Sequence, residues 1–221
     1  MLIRPGGGEV IGDSPERRVE ILSDHPSLHA TWSRFGPGRE GADLHVHRRH
    51  TDLFYVLAGE LTVRLGVEGA ELVVPAGTVA RVPPLVVHGF RNGSDAEMRY
   101  LNFHAPGVGF ADYMRGLRDG RPLTYDQEPP PADGVRPPSE AEVSAPPVDV
   151  EAIAIAEVDE VAPGAVPDLA SYYVLAGAAR FTVDGEDLEA PAGSWVQVPP
   201  GTTHRASGGR LLSVRAPATG P

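Results

Sequence analysis

"YVLAGELTVRLGVEGAELVVPAGTVARVPPLVVH", Tyr55 to His88, is written twice in this chain. The second copy, "YVLAGAARFTVDGEDLEAPAGSWVQVPPGTTH", runs from Tyr173 to His204. "YVLAG", "PAG" and "VPP" recur in order, and each copy ends on histidine. The second copy is shorter, and the loss falls in its middle, where "LGVEGAE" becomes "VDGED". An ordered match of this length marks an internal duplication.

Each copy reads as β. "LTVRL" and "RFTV" alternate apolar and polar residues, as half-buried strands do. "VDGED" carries an Asp-Gly hairpin signal. "PAGT" and "PAGS" are turns. "VARVPP" and "VQVPP" are short strands stopped by prolines, which have no N–H to give a ladder. Short strands at this spacing predict a sandwich or barrel. The 26 glycines and 23 prolines agree, because both disfavour long helices. Between the copies, "FADYMRGLRDG" places Phe110, Tyr113, Met114 and Leu117 at helical spacing and ends on glycine, which predicts a short helix packed on a barrel. The Pro-rich acidic stretch that follows reads as an extended, exposed linker. The expected organisation is therefore a barrel over 1–120, a linker over 121–147 and a second barrel over 148–221.

Composition removes several functions. There is no cysteine, hence no disulfide framework, thiolate nucleophile or cysteine zinc site. A formal net charge of −11 argues against nucleic acid, which needs clustered cations. No apolar run approaches the roughly 20 residues that span a bilayer. "MLIRPGGGEV" has no apolar core of a secretion signal. A cytoplasmic protein is the expectation, with a small molecule as its partner and a homodimer as its candidate assembly.

Immediately before the first copy stands "HVHRRHTD", His45 to Asp52. If "LHVH" is extended, His45 and His47 project from one face. A turn through "RRHT" lets Asp52 open the next strand beside them. His50 falls in that turn and is expected to be exposed and to point away. His88 sits between Val86 and Phe90 on an apolar face, where an imidazole needs a partner. Three imidazoles and one carboxylate around a point suit one divalent transition metal, whether Fe, Mn, Ni, Co or Zn. Asp52 is one methylene shorter than glutamate, so it either ligates directly or works as an outer acid or base through water. His25 and His29 carry no such mark.

These motifs resemble the cupin superfamily. Its first motif places H-x-H, a glutamate and a glycine where this chain has His45, His47, Asp52 and Gly59. Its second aligns Gly77, Pro83, His88 and Asn92, with Leu85 in place of the motif's glycine. The resemblance implies all-β jelly-roll barrels, two in tandem as in bicupins, with a metal in the mouth of one. Aligned on "YVLAG", the second copy has Pro163, Ala165 and Ala170 at the ligand positions and keeps His204 alone. A metal is thus expected in the first barrel only.

Among cupins the nearest resemblance is to quercetinase-like dioxygenases. Sugar-phosphate isomerases of the cupin type are an alternative, as is a metal-dependent binding or sensing module without turnover. An oxygenase would use an apolar pocket, for which Phe54 and Phe90 are candidates, with Asn102 and His104 sharing one strand face. An isomerase would use a basic patch, for which Arg48, Arg49, Arg81 and Arg91 are candidates.

Overall fold

The computed structural model describes residues 1–121, 123–131, 135–150 and 152–218. It is almost entirely β, with a single α-helix, Phe110–Arg118, among the described residues. The chain divides into two compact units: residues 10–145, and residues 146–221 together with 1–9.

In the first unit, seven strands form one sheet in the order Glu142–Ser144, Val79–Val82, Thr51–Ala58, Met98–Ala105, Leu28–Phe35, Arg17–His25, Glu9–Asp13. A second sheet of three, Ala70–Pro75, Glu60–Leu65 and His88–Arg91, completes the jelly roll. Alternation decides which side chains meet inside: Phe54 and Val56 from one sheet and Leu61, Val63 and Val74 from the other share one core. Gly59, which closes "YVLAG", has φ +72, and a Cβ there would lie 2.6 Å from the Glu97 carbonyl oxygen. Only glycine turns this corner.

The second unit repeats the register. Asp52 pairs with Val82 in the first unit, and Ala170 with Val198 in the second. The size difference between the copies is confined to a hairpin tip. Leu65 is in register with Ala70 across Gly66 and Gly69, whereas Val183 meets Glu186 across Asp184 and Gly185, both with positive φ. That is a two-residue turn whose twist suits the strands it joins. Phe181 and Trp195 are fully buried in this unit.

Two expected boundaries change. The first residues belong to the second unit, because Leu2 and Ile3 pair with Val196 and Trp195. The stretch 121–145 is not a loose linker. Glu142–Ser144 adds to the Val79–Val82 strand, with Glu142 opposite Arg81 and Ser144 opposite Val79, and Ala141 and Val143 pack on the core. Val46 and Glu128 exchange two backbone hydrogen bonds of 2.9 and 3.0 Å. The physical reason is an open sheet edge: the Val79–Val82 strand would otherwise present unpaired N–H and C=O groups. Positions 122 and 132–134 of the expected linker lie outside the described residues.

A fragment spanning 10–145 is accordingly expected to give one cooperative thermal transition by circular dichroism. A fragment ended at Gly120 should lose cooperativity or melt well below it, since it bares that edge. Equal melting of the two would show that 121–145 adds nothing to the barrel.

Candidate metal centre

His45, His47 and His88 are all buried and converge with Asp52; one ligand atom from each lies within 4.8 Å of the others. His45 is bridged to His88 through the backbone, with N–H···O=C distances of 2.8 and 2.9 Å in the two directions. Asp52 follows the turn and starts its strand, as its place in the sequence suggests. Its Oδ2 reaches 3.2 Å from His88 Nε2 and 3.7 Å from His47 Nε2. The shorter side chain therefore does reach the cluster.

The protons on the three rings are fixed from behind. His45 Nδ1 donates to the Asp43 carbonyl at 2.6 Å, and His88 Nδ1 to the Val86 carbonyl at 3.0 Å. His47 Nδ1 donates to the Asp126 carbonyl. A neutral imidazole carries one N–H, so all three Nε2 atoms are bare lone pairs. His45 Nε2 and His47 Nε2 nevertheless face each other at 3.1 Å. A proton between them is disfavoured, because burial, with the charges of His88 and His47, pushes His45 down to about 3. Burial alone would raise the Asp52 carboxyl, but the His104 ring, whose Nε2 lies 3.3 Å from Asp52 Oδ1, outweighs it and holds Asp52 well below the usual carboxylate range. Three lone pairs and an anion pointed at one another repel unless a cation lies among them. Three nitrogens and one oxygen suit a divalent transition ion.

His50 is the main correction. It is 1% exposed and points inward. Its Nδ1 lies 2.9 Å from Asp126 Oδ2 and its Nε2 3.1 Å from the Tyr125 hydroxyl. The same Asp126 carboxylate accepts the backbone N–H groups of Arg48 at 3.1 Å and Arg49 at 2.8 Å. One buried carboxylate thus ties down the whole 48–50 turn. Sequence reasoning misses Tyr125 and Asp126 because they lie in the Pro-rich stretch. The signal is a tyrosine in a segment with no other aromatic residue, whose ring needs cover.

The Tyr125 hydroxyl also lies 2.7 Å from His104 Nδ1, and His104 Nε2 lies 3.3 Å from Asp52 Oδ1. A row runs Asp126, His50, Tyr125, His104, Asp52. It has four links. Burial, with the charges of His104 and His47, pushes His50 far below its ordinary range; burial also lowers His104 and, with the charges of Asp52 and Asp126, raises Tyr125. Two neutral imidazoles and one phenol bring one hydrogen each, so the row is one proton short. Asn102 donates its amide to Asp52 Oδ1 and to the Leu53 carbonyl, which steadies the carboxylate.

A cavity of about 310 Å³ opens onto His45, His47, Asp52, Asn102 and His104, with Phe90, Tyr100, Phe110, Tyr113 and Met114 in its walls. The predicted helix is therefore also a cavity wall. Phe54 is not part of the lining: it is fully buried behind Phe90, ring centroids 5.1 Å apart. Arg81 alternates with inward Ala80 and Val82, so it projects away and pairs with Glu142 at 3.2 Å. The other patch arginines also face carboxylates, Arg48 on Glu128 at 2.7 Å, Arg49 near Asp126 at 3.8 Å and Arg91 on Glu71 at 2.9 Å. His29 is buried against Phe110, and His25 Nδ1 accepts the Ser27 N–H. In the second unit, His204 binds the Tyr172 hydroxyl at 2.6 Å, and no metal-holding group occurs there among the described residues.

The sequence matches the cupin domain family over residues 31–104 and 161–208, more than half of the chain. No curated protein matches it. Among solved structures, protein Ylba from E. coli is similar at a TM-score of 0.70 and 13% identity, covering 100% of this chain and 91% of its own. A serine-to-alanine mutant of Bacillus subtilis oxalate decarboxylase is similar at 0.63 and 13%, covering 100% and 78%. The formate complex of Lactobacillus farciminis oxalate decarboxylase is similar at 0.60 and 13%, covering 97% and 85%. At these identities the likeness concerns the fold. No helix among the described residues is long and apolar enough to cross a membrane.

Asp126→Ala keeps the carbonyl that fixes His47 but frees the 48–50 turn beside it, so it should weaken metal affinity by less than the roughly 10- to 100-fold cost of losing a direct partner of a ligand. Metal titration would check this, and an unchanged affinity would separate the 48–50 turn from the centre. Acidification offers a second check. In the fold His45 stays neutral down to about 3, whereas an unfolded histidine takes up its proton near 6.5. His29, His50 and His104 shift in the same direction. Below about 6.5 the unfolded chain binds more protons, so stability falls as pH falls, by up to about 1.4 kcal/mol per pH unit for each such histidine. The metal-free protein should therefore melt lower at pH 5.5 than at pH 7.5 in thermal denaturation. A flat profile would mean that these rings are not held neutral.

Proposed function

Because the chain belongs to the cupin domain family, we propose that it is a bicupin whose first barrel is a mononuclear-metal enzyme of oxygenase type, acting on a small organic molecule. The observation that carries this reading is the convergence of three bare Nε2 atoms and the Asp52 Oδ2 in a cluster of which His45, His47 and Asp52 border an aromatic-walled cavity. His45, His47, His88 and Asp52 would hold the ion. When bound, it supplies Lewis acidity and, if redox-active, access to O₂ chemistry.

The chain's own residues do the rest. The carbonyls of Asp43, Val86 and Asp126 keep the three Nε2 atoms aimed inward. Phe90, Phe110 and Tyr113 exclude water from one side of the ligand. Asp52 Oδ1 and His104 begin a row that lacks one proton, so a proton released by the substrate has a place to go, toward the Asp126 carboxylate. The isomerase alternative loses its support, since each arginine of the candidate phosphate patch faces a carboxylate.

Elemental analysis of the purified protein should give one metal per chain, and a His45→Ala, His47→Ala double variant should give none. O₂ uptake over a panel of flavonols, diketones and catechols should follow the metal content. Full metal content in the double variant would overturn the site. A metal-loaded protein inert to the whole panel would overturn the oxygenase assignment.

A further inference from the structure

The substrate class of this same cavity can be taken further, and the step rests on the functional reading above. Arg17 and Arg18 open the Arg17–His25 strand and point to opposite faces. Arg18 is paired twice, at 2.6 Å with Asp13 and at 2.7 Å with Glu20. Arg17 lies on the inward face with Val19 and Ile21 and lines the cavity. Among the described residues it has no ion-pair partner, and its Nε is buried without any hydrogen-bond partner. Its guanidinium carbon sits 5.5 Å from the centroid of the Phe35 ring. Such a contact occupies none of the N–H donors. A guanidinium cannot shed its proton, and the cavity that Arg17 lines is where an acceptor could reach its buried Nε.

The surroundings define the acceptor. Among the described residues Arg17 is the one Lys or Arg in the lining, while Asp43 and Asp52 also border the cavity. A dianionic phosphate would bring two charges to a single cation and meet those acids. A carboxylate brings one charge and matches the planar fork with two parallel hydrogen bonds. Phe35, Phe90, Tyr113 and Met114 lie along the cavity and favour an apolar or unsaturated body. Arg17 pairs with Phe35, and Phe35 with Met98, six residues before His104. That is about 20 Å of strand, shortened by the arginine side chain. Arg17 therefore meets the end of the ligand far from the His45–His47–Asp52 cluster.

We propose that the cavity binds a monocarboxylic acid with an apolar body, its carboxylate forked onto Arg17 and its opposite end turned to the metal centre. Arg17 is then the residue that selects the substrate by charge.

Cinnamate and its neutral isostere cinnamamide test this by calorimetry on the metal-loaded protein, with metal content measured in parallel. Cinnamate is expected to bind at least tenfold more tightly than cinnamamide. Arg17→Gln should lower cinnamate affinity at least tenfold and leave both cinnamamide affinity and metal content unchanged. Arg18→Gln should leave all three as they are. The cinnamate preference should also persist after chelator treatment, which removes any carboxylate bound at the metal. Equal affinity for the two probes, no binding of cinnamate, or an Arg17→Gln protein that retains the preference would each overturn the proposal. The wild-type comparison of probes decides even if Arg17→Gln fails to fold. A protein with no metal that still prefers cinnamate through Arg17 would instead uphold this inference and refute the metal-enzyme reading.

Discussion

The centre depends on three backbone carbonyls. Those of Asp43, Val86 and Asp126 each take an Nδ1 proton and so turn three imidazoles into inward-facing lone pairs. Two of the three are local, since each lies two residues before its own histidine. The third crosses 79 residues of sequence. It exists only because the chain returns after the helix and pairs Glu128 with Val46. The centre therefore has a part that the barrel strands set by themselves and a part completed by a later segment. Asp126 serves that segment twice, its carbonyl orienting His47 and its carboxylate gathering Arg48, Arg49 and His50.

That division matches what is legible in the sequence. His45 and His47 share a face by parity, and the repeat aligns Asp52 with Ala170. The structure gives both residues the same pairing partner, the valine of "VPP". Such relations are short in sequence and periodic, so they survive translation into geometry. The inward turn of His50 does not announce itself, because nothing within the turn requires it. What turns it is a carboxylate far along the chain. Arg81 is misplaced by composition and corrected by parity: its neighbours Ala80 and Val82 face the core, so it cannot. Phe54 has the right parity but the wrong depth, with Phe90 between it and the cavity. Depth depends on which side chain of the facing sheet is larger, and no pattern in one strand records that.

Leu85 shows what the centre imposes on its surroundings. It stands at φ 68, in the left-handed region, where Gly201 of the second copy stands at φ 76. A leucine in that conformation costs about 1–2 kcal/mol relative to a relaxed backbone. It is kept there from both sides. Its N–H donates to the His47 carbonyl at 2.7 Å, and its carbonyl accepts the Arg136 N–H at 2.9 Å. The turn that carries His88 is thereby tied to the strand that carries His47, and the geometry survives a residue poorly suited to it.

The two copies differ in chemistry by a count of hydrogens. His204 keeps its ring fixed as His88 does, with Nδ1 on the carbonyl two residues before it, Thr202 at 3.0 Å in place of Val86. Its Nε2 is then bare too. In the second copy a single O–H, that of Tyr172, lies against that lone pair at 2.6 Å and satisfies it. In the first copy three such lone pairs and a carboxylate converge, and among the described residues no hydroxyl is offered to them. Their demand exceeds what any one proton can meet, and a cation with several open positions would meet it. The duplication preserved the lock on the ring. What diverged is the number of acceptors the lock sets free, and that number separates a satisfied core histidine from a cluster able to hold a metal.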